Sequence, residues 1–210
     1  MSVLLRSWLN RTRRAVARGA LFRIVFGERA LDGSALALTR ISPSTCIEHP
    51  ELLTLGDDVF IGHFNFIEAS HGVRIDESVQ ITNFVSIVTH SSHRSQRLMG
   101  RRYGTLPLDQ RPGFIAGPVH IGAFCYIGPH CVIEANTQLG KGCIVASHSR
   151  VRGRFADFSA IAGTPARVVG DTRDGDGPLL DAHPEWRATY EAWAGSGRLP
   201  ATTPTSTREP

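Results

Sequence analysis

Between Ile121 and Val151 an aliphatic residue returns at every sixth position: Ile121, Ile127, Ile133, Leu139, Val145, Val151. Gly122, Gly128, Glu134, Gly140 and Ala146 follow the first five of them directly, and four places on stand Cys125, Cys131, Thr137, Cys143 and Ser149. A helix needs spacings of three and four, and a lone flat strand needs two, so neither accounts for six. A short strand followed by a turn does. Three such units close a triangular coil, and stacked coils pair as parallel strands at ~4.8 Å per rung. The same beat runs upstream through Ile41 and Ile47, then Leu55, Ile61 and Ile67, then Ile75, Ile81 and Ile87. It slips by two at Leu53 to Leu55, Val73 to Ile75 and Val119 to Ile121, which reads as slightly longer corners. The expectation is an all-β fold, a parallel β-helix of hexapeptide repeats with five or six coils over residues 35–170 and no independent second domain.

The rest of the chain sets bounds on this rod. Its 41% hydrophobic content over 210 residues is ordinary for a globular protein, and no run of 18 apolar residues predicts a spanning helix. Three of the four cysteines fall in the small inward slot, and no CxxC occurs, so they read as core thiols rather than disulfides or metal ligands. Residues 1–27 hold six arginines and no acid, leaving the remainder at −2 within a total of +4. The arm, residues 1–34, therefore reads as basic and amphipathic, with two alternatives. Its apolar side packs over one end of the rod, or it lies on an anionic membrane surface. Arginines interrupt its apolar run and no small-residue cleavage site follows, so it does not read as a signal peptide. The expected location is cytoplasmic, peripheral at the inner membrane under the second alternative. Nucleic acid is not an expected partner, because the rod is not basic and the arm lacks interleaved stacking aromatics. Over residues 171–210, "DAHPEWRATYEAWAGSG" reads as a short helix with Trp186, Tyr190 and Trp193 on one side, and "ATTPTSTREP" as a disordered tail.

The beat stops between Ile87 and Val119, placing a loop at residues 90–118 that carries His90, His93, Arg94, Arg97, Arg101, Arg102, Tyr103 and Asp109. A long loop inside a compact repeat is commonly functional, and a rigid rod can hold its reactive groups in place. Neutral imidazole near pH 7 can take a proton from a hydroxyl and later return it to a leaving group.

Hexapeptide coils, a histidine loop extruded mid-rod, resumption at "GPVHIG" and a closing "IAGTPARVVG" together resemble the bacterial hexapeptide-repeat acyltransferases. The resemblance covers about residues 35–170 and is nearest to the branch that O-acetylates sugars and surface polysaccharides. It implies a left-handed β-helix, a homotrimer with sites between chains, acetyl-CoA as donor substrate, no metal, and a sugar or polysaccharide precursor as acceptor. It also implies direct attack of the acceptor hydroxyl on the thioester, with a loop histidine as general base. His93 is favoured on its spacing from the preceding coil and on "SSHR"; His90, where the coil ends, is the alternative. Arg94, Arg97 and Tyr103 are read as shaping the acceptor mouth. The family's asparagine position is matched by Gly62, so Asn65 is the candidate, although its inward slot also suits an amide that satisfies the corner backbone. The resemblance also implies a backbone N–H for the oxyanion around "YIGPH"; Pro129 has none, so Gly128 or a neighbour would supply it. Ala146, Ser147, Arg152, Gly163, Pro165 and Arg167 match the coenzyme A positions, the guanidiniums suiting phosphate. Three other readings stay open: an antibiotic O-acetyltransferase of the same fold, a trimeric zinc carbonic anhydrase drawing on His63, His71, His120, His130 and His148, and a non-catalytic scaffold.

Overall fold

In the computed structural model, which describes residues 3–195, the six-residue beat becomes three sheets wound into one parallel β-helix. The first face stacks Cys46–Glu48, Phe66–Glu68, Ser86–Val88, Val132–Ile133 and Arg150–Val151. The second stacks Leu53–Leu55, Val73–Ile75, Val119–Ile121, Gln138–Leu139 and Arg154–Phe155. The third runs from Arg40–Ile41 through Tyr126–Ile127 to Ser159–Gly163, where the chain reverses and Ala166–Asp171 pairs antiparallel as a cap. Equivalent aliphatics meet in register, as Ile67, Ile87, Ile133 and Val151 do on the first face, and all are fully buried. Cys125, Cys131 and Cys143 are buried free thiols between them, while Cys46 is exposed.

The slips of two are not longer corners. Leu53, Val73 and Val119 stack in one inward column, and Leu55, Ile75 and Ile121 in the next, two residues along the same strands. Alternate residues of a strand share a side, so the second face has one extra pleat in these coils.

The corners use a conformation the repeat pattern does not announce. Phe64, Phe84, His130 and His148 adopt left-handed φ values of 57°, 59°, 60° and 62°, a region that costs an L-residue about 1–2 kcal/mol. Their rings lie outside the rod and stack: Phe64 on Phe84 at 5.1 Å, Phe84 on His130 at 4.9 Å, His130 on His148 at 4.9 Å. That spacing is the ~4.8 Å rung of the sheets, so ring stacking follows from coil stacking and offsets part of the backbone cost. At the same corner Gly128 has no room for a side chain, since a Cβ would lie 2.7 Å from Ser147 N and 2.8 Å from Val145 O.

The rod's stability rests on its inward columns. Ile127 is fully buried between Ile81 and Val145. Ile127→Ala is expected to cost about 2–5 kcal/mol, read as a lower urea midpoint at unchanged slope.

Both ends of the chain depart from the sequence expectation. The helix α1 (Val3–Ala17) has no buried residue, so it does not pack its apolar side over the end of the rod. A π-helical turn, Arg18–Phe22, follows it, and Phe22 packs edge-on against Phe64 at 5.4 Å. At the other end two helices form where one was expected. The sequence from Arg173 holds Gly175, Gly177 and Pro178, poor helix formers, yet Arg173–Ala182 is helical with Gly177 and Leu180 buried. Arg187–Ala194 follows, and its Trp193 stacks on Phe124 at 4.2 Å while Tyr190 Oη donates to Asp176. The tail expected at 201–210 lies outside the described residues.

Candidate active site

The interruption leaves the rod at the corner between the first and second faces. It is a folded excursion rather than an open loop: His90–Ser91 pairs antiparallel with Ile115–Ala116, and the segment between them holds helix α2 (His93–Met99) and two 3-10 turns. The buried Ser95 donates to Pro112 O at 2.7 Å, tying the helix to the turn that precedes the returning strand.

Where the strand leaves the rod, a buried carboxylate meets a histidine. Glu68 ends the first-face strand one coil below and its side chain is 5% exposed. Its Oε1 accepts from Ser70 N at 2.8 Å, and its Oε2 accepts from Thr89 N at 3.0 Å and Thr89 Oγ1 at 2.7 Å. His90 Nδ1 lies 2.9 Å from the same Oε2. Burial pushes the Glu68 carboxyl up, but the donors from Ser70 and Thr89 outweigh it and hold the group down to about 2. An ionised Glu68 accepts from an Nδ1–H, which fixes the tautomer of His90 with its Nε2 lone pair directed away from the carboxylate. The imidazole packs against Phe114, at 5.6 Å, and His71, at 5.8 Å.

The cleft beside this pair is basic. Its inner part, about 300 Å³, is lined by Val88, His90, Ser91, His93, Ile115, Glu134, Ala135, Arg150 and Arg152. It continues past His93, Arg150 and Arg152 into an outer part of about 580 Å³ that adds Arg94, Pro165, Ala166 and Arg167. Four guanidiniums thus face one carboxylate, Glu134, whose Oε1 is 3.9 Å from Arg150. Such a lining suits a ligand carrying several phosphates.

The bacterial transferase hexapeptide family model, of six repeats, matches residues 118–153. A probable acetyltransferase of Mycobacterium tuberculosis is 33% identical over 126 residues, which is 60% of this chain and 39% of that protein. A putative lipopolysaccharide biosynthesis O-acetyl transferase of Escherichia coli is 25% identical over 146 residues, 70% of each chain. Over these repeats the chain is similar to bacterial hexapeptide-repeat transferases, and it spans well under half the length of the mycobacterial relative. Among solved structures, a hexapeptide-repeat acetyltransferase of Vibrio cholerae complexed with acetyl-CoA superposes with a TM-score of 0.51 at 25% identity, covering 62% of this chain and 65% of that one.

In this hexapeptide-repeat protein the residues singled out from sequence fall into three groups. His90, His93, Arg94, Arg152, Pro165 and Arg167 share the cleft, His93 being exposed with its Nδ1 2.7 Å from Ser91 Oγ. Gly128, Ala146 and Ser147 sit at the opposite edge of the first face, and Gly163 nearby donates its N–H to Ser149 Oγ at 3.1 Å. Arg97 and Tyr103 are outside the cleft lining, and the Tyr103 ring is covered by Arg111 at 4.3 Å.

Two of the proposed roles meet a physical obstacle. The Gly128 N–H already donates to Val145 O at 2.8 Å as a rung of the ladder, so it is engaged and cannot serve an oxyanion. Asn65 is buried with its amide fully used: Nδ2 donates to Gly62 O and Thr82 O, and Oδ1 accepts from Val85 N. It braces a corner, the alternative its inward slot allowed. The histidines of the zinc reading are spread apart: His120 pairs with Asp76 at 2.8 Å on the second face, while His130 and His148 stack on a corner. Among the described residues no three His, Cys, Asp or Glu side chains gather as a metal site. Glu68, Thr89 and Arg150 were not anticipated.

Proposed function

We propose that this protein transfers an acetyl group from acetyl-CoA to a hydroxyl of a sugar or surface-polysaccharide precursor, with His90 as general base. The observation that carries the reading is the Glu68–His90 pair opening onto an arginine-lined cleft. In the reaction the acceptor O–H gives its proton to His90 Nε2 as its oxygen bonds to the thioester carbonyl carbon. The tetrahedral intermediate then collapses, the C–S bond breaks, and the imidazolium returns the proton to the leaving thiolate. The products are an O-acetyl ester and free coenzyme A. Ionised Glu68 stabilises the imidazolium in between without itself changing protonation. Arg152 and Arg167 would meet the donor's phosphates, and His93 and Arg94 the acceptor side.

The choice of acceptor is supported by the lipopolysaccharide O-acetyl transferase relative, and the choice of donor by the acetyl-CoA complex of the Vibrio protein. A homotrimer of left-handed coils completes the proposal. Gly128, Ala146 and Ser147 stand beside the ring ladder on the corner opposite the cleft, so side-by-side packing would set that corner of one copy against the next copy's arginines.

Free-thiol release from acetyl-CoA, measured on purified protein against a panel of sugars and antibiotics, tests this reading. Release that requires a sugar hydroxyl is expected. Release with antibiotics only would select the xenobiotic alternative. No acceptor-dependent release, together with stoichiometric zinc in the protein, would overturn acyl transfer.

A further inference from the structure

The helix α1 contributes nothing to the core, yet its sequence is sharply sided. At about 100° per residue, Leu4, Trp8, Leu9, Ala15 and Val16 fall along one side, and Arg6, Arg11, Arg13 and Arg14 flank and oppose it. The apolar side is open: Leu4 is 82% exposed, Trp8 62% and Val16 66%. No acid stands anywhere in residues 1–27.

The arm is nonetheless fixed to the rod just behind this helix. Phe22 meets His63 at 5.5 Å and Phe64 at 5.4 Å, and Arg40 lies 4.9 Å over Phe26. The segment that follows α1 is thus docked on the corner ladder while α1 itself is presented outward.

We infer that α1 is a membrane-surface anchor that lies in the interface of an anionic leaflet. A tryptophan and aliphatic residues on one side enter the headgroup and acyl boundary, and the arginines reach phosphates beside them. Charge selects this occupant over a second copy. Two α1 helices laid face to face would bring arginine-flanked edges together with no carboxylate on either helix, whereas an anionic leaflet supplies counter-charge along the whole edge. The anchor is separate from the transfer chemistry, and its test reads no activity.

The full chain is floated through sucrose with vesicles of phosphatidylcholine alone or with about 30 mol% phosphatidylglycerol, at about 0.05 and 0.5 M salt. Flotation is expected on the anionic vesicles at low salt, falling roughly tenfold or more on neutral vesicles or at high salt. A Trp8→Asp/Val16→Asp variant and an Arg13→Ser/Arg14→Ser variant should each lose roughly tenfold, with the mass by light scattering and the thermal midpoint of the rod unchanged. Because α1 has no buried residue, these variants keep the β-helix intact. Absence of flotation on anionic vesicles would overturn the anchor, as would equal flotation of variants and parent. A lower oligomeric mass for Trp8→Asp/Val16→Asp would also overturn it, by assigning that face to another copy.

Discussion

His90→Ala is expected to lower acetyl transfer to the preferred acceptor by about 10²–10⁴-fold, the range for loss of a general base. The argument is one of geometry. His90 is the imidazole whose Nδ1 faces a buried, ionised carboxylate at 2.9 Å, so one tautomer is imposed and Nε2 is left as the acceptor. His93, three residues on, is exposed at the start of α2 and its Nδ1 faces a serine hydroxyl at 2.7 Å, which can donate or accept and so fixes no tautomer. His93→Ala is therefore expected to cost no more than roughly tenfold, through acceptor positioning. The alanine at 90 leaves Glu68 with the donors of Ser70 and Thr89, so the rod remains folded. Initial rates at saturating acetyl-CoA, with the unfolding midpoint as control, separate the two residues. Full activity in His90→Ala with loss in His93→Ala would return the role to His93, where spacing alone first places it. Full activity in both would end the loop-histidine mechanism.

What the sequence discloses is whatever repeats. An inward aliphatic at every sixth position is legible because each rung demands the same thing of the same slot, and the buried thiols at 125, 131 and 143 follow from that rule. The extra pleat on the second face is written there too, as Leu53, Val73 and Val119, but a slip of two looks alike whether a strand or a corner grows. Glu68 was hidden for a different reason. It occupies the position after an inward aliphatic, where Glu134 also stands, and nothing local marks it. A signal existed in the length of the coil: Ile47, Ile67 and Ile87 are 20 residues apart and pair in register. That period sets Glu68 beside Val88 and therefore under Thr89 and His90. The fate of α1 was not legible at all, because an amphipathic sequence specifies that one side needs cover and says nothing of what supplies it.

The same carboxylate carries the second prediction, Glu68→Gln. Every contact it makes in the rod is with a donor: Ser70 N on one oxygen, Thr89 N and Oγ1 with His90 Nδ1 on the other. A glutamine amide must therefore turn its NH₂ toward a buried N–H whichever way it flips, and the charge that stabilises an imidazolium is gone as well. The expected result is a fall in kcat of about 10–10²-fold with KM for acetyl-CoA within about twofold, since the residues proposed for the donor's phosphates are Arg152 and Arg167 rather than Glu68. Stability supplies the second readout. The folded carboxyl is held at about 2 against an ordinary 4.5, so folding favours the ionised form. That contribution, on the order of 3 kcal/mol, is fully present above the unfolded value and is lost as pH falls through the folded one. Glutamine has no such titration. The gap in unfolding free energy between parent and variant should be widest near neutral pH and should close between about pH 4.5 and 2. A gap that stays constant across that window would mean that Glu68 is not held ionised by its donors, and the fixed tautomer of His90 would lose its cause.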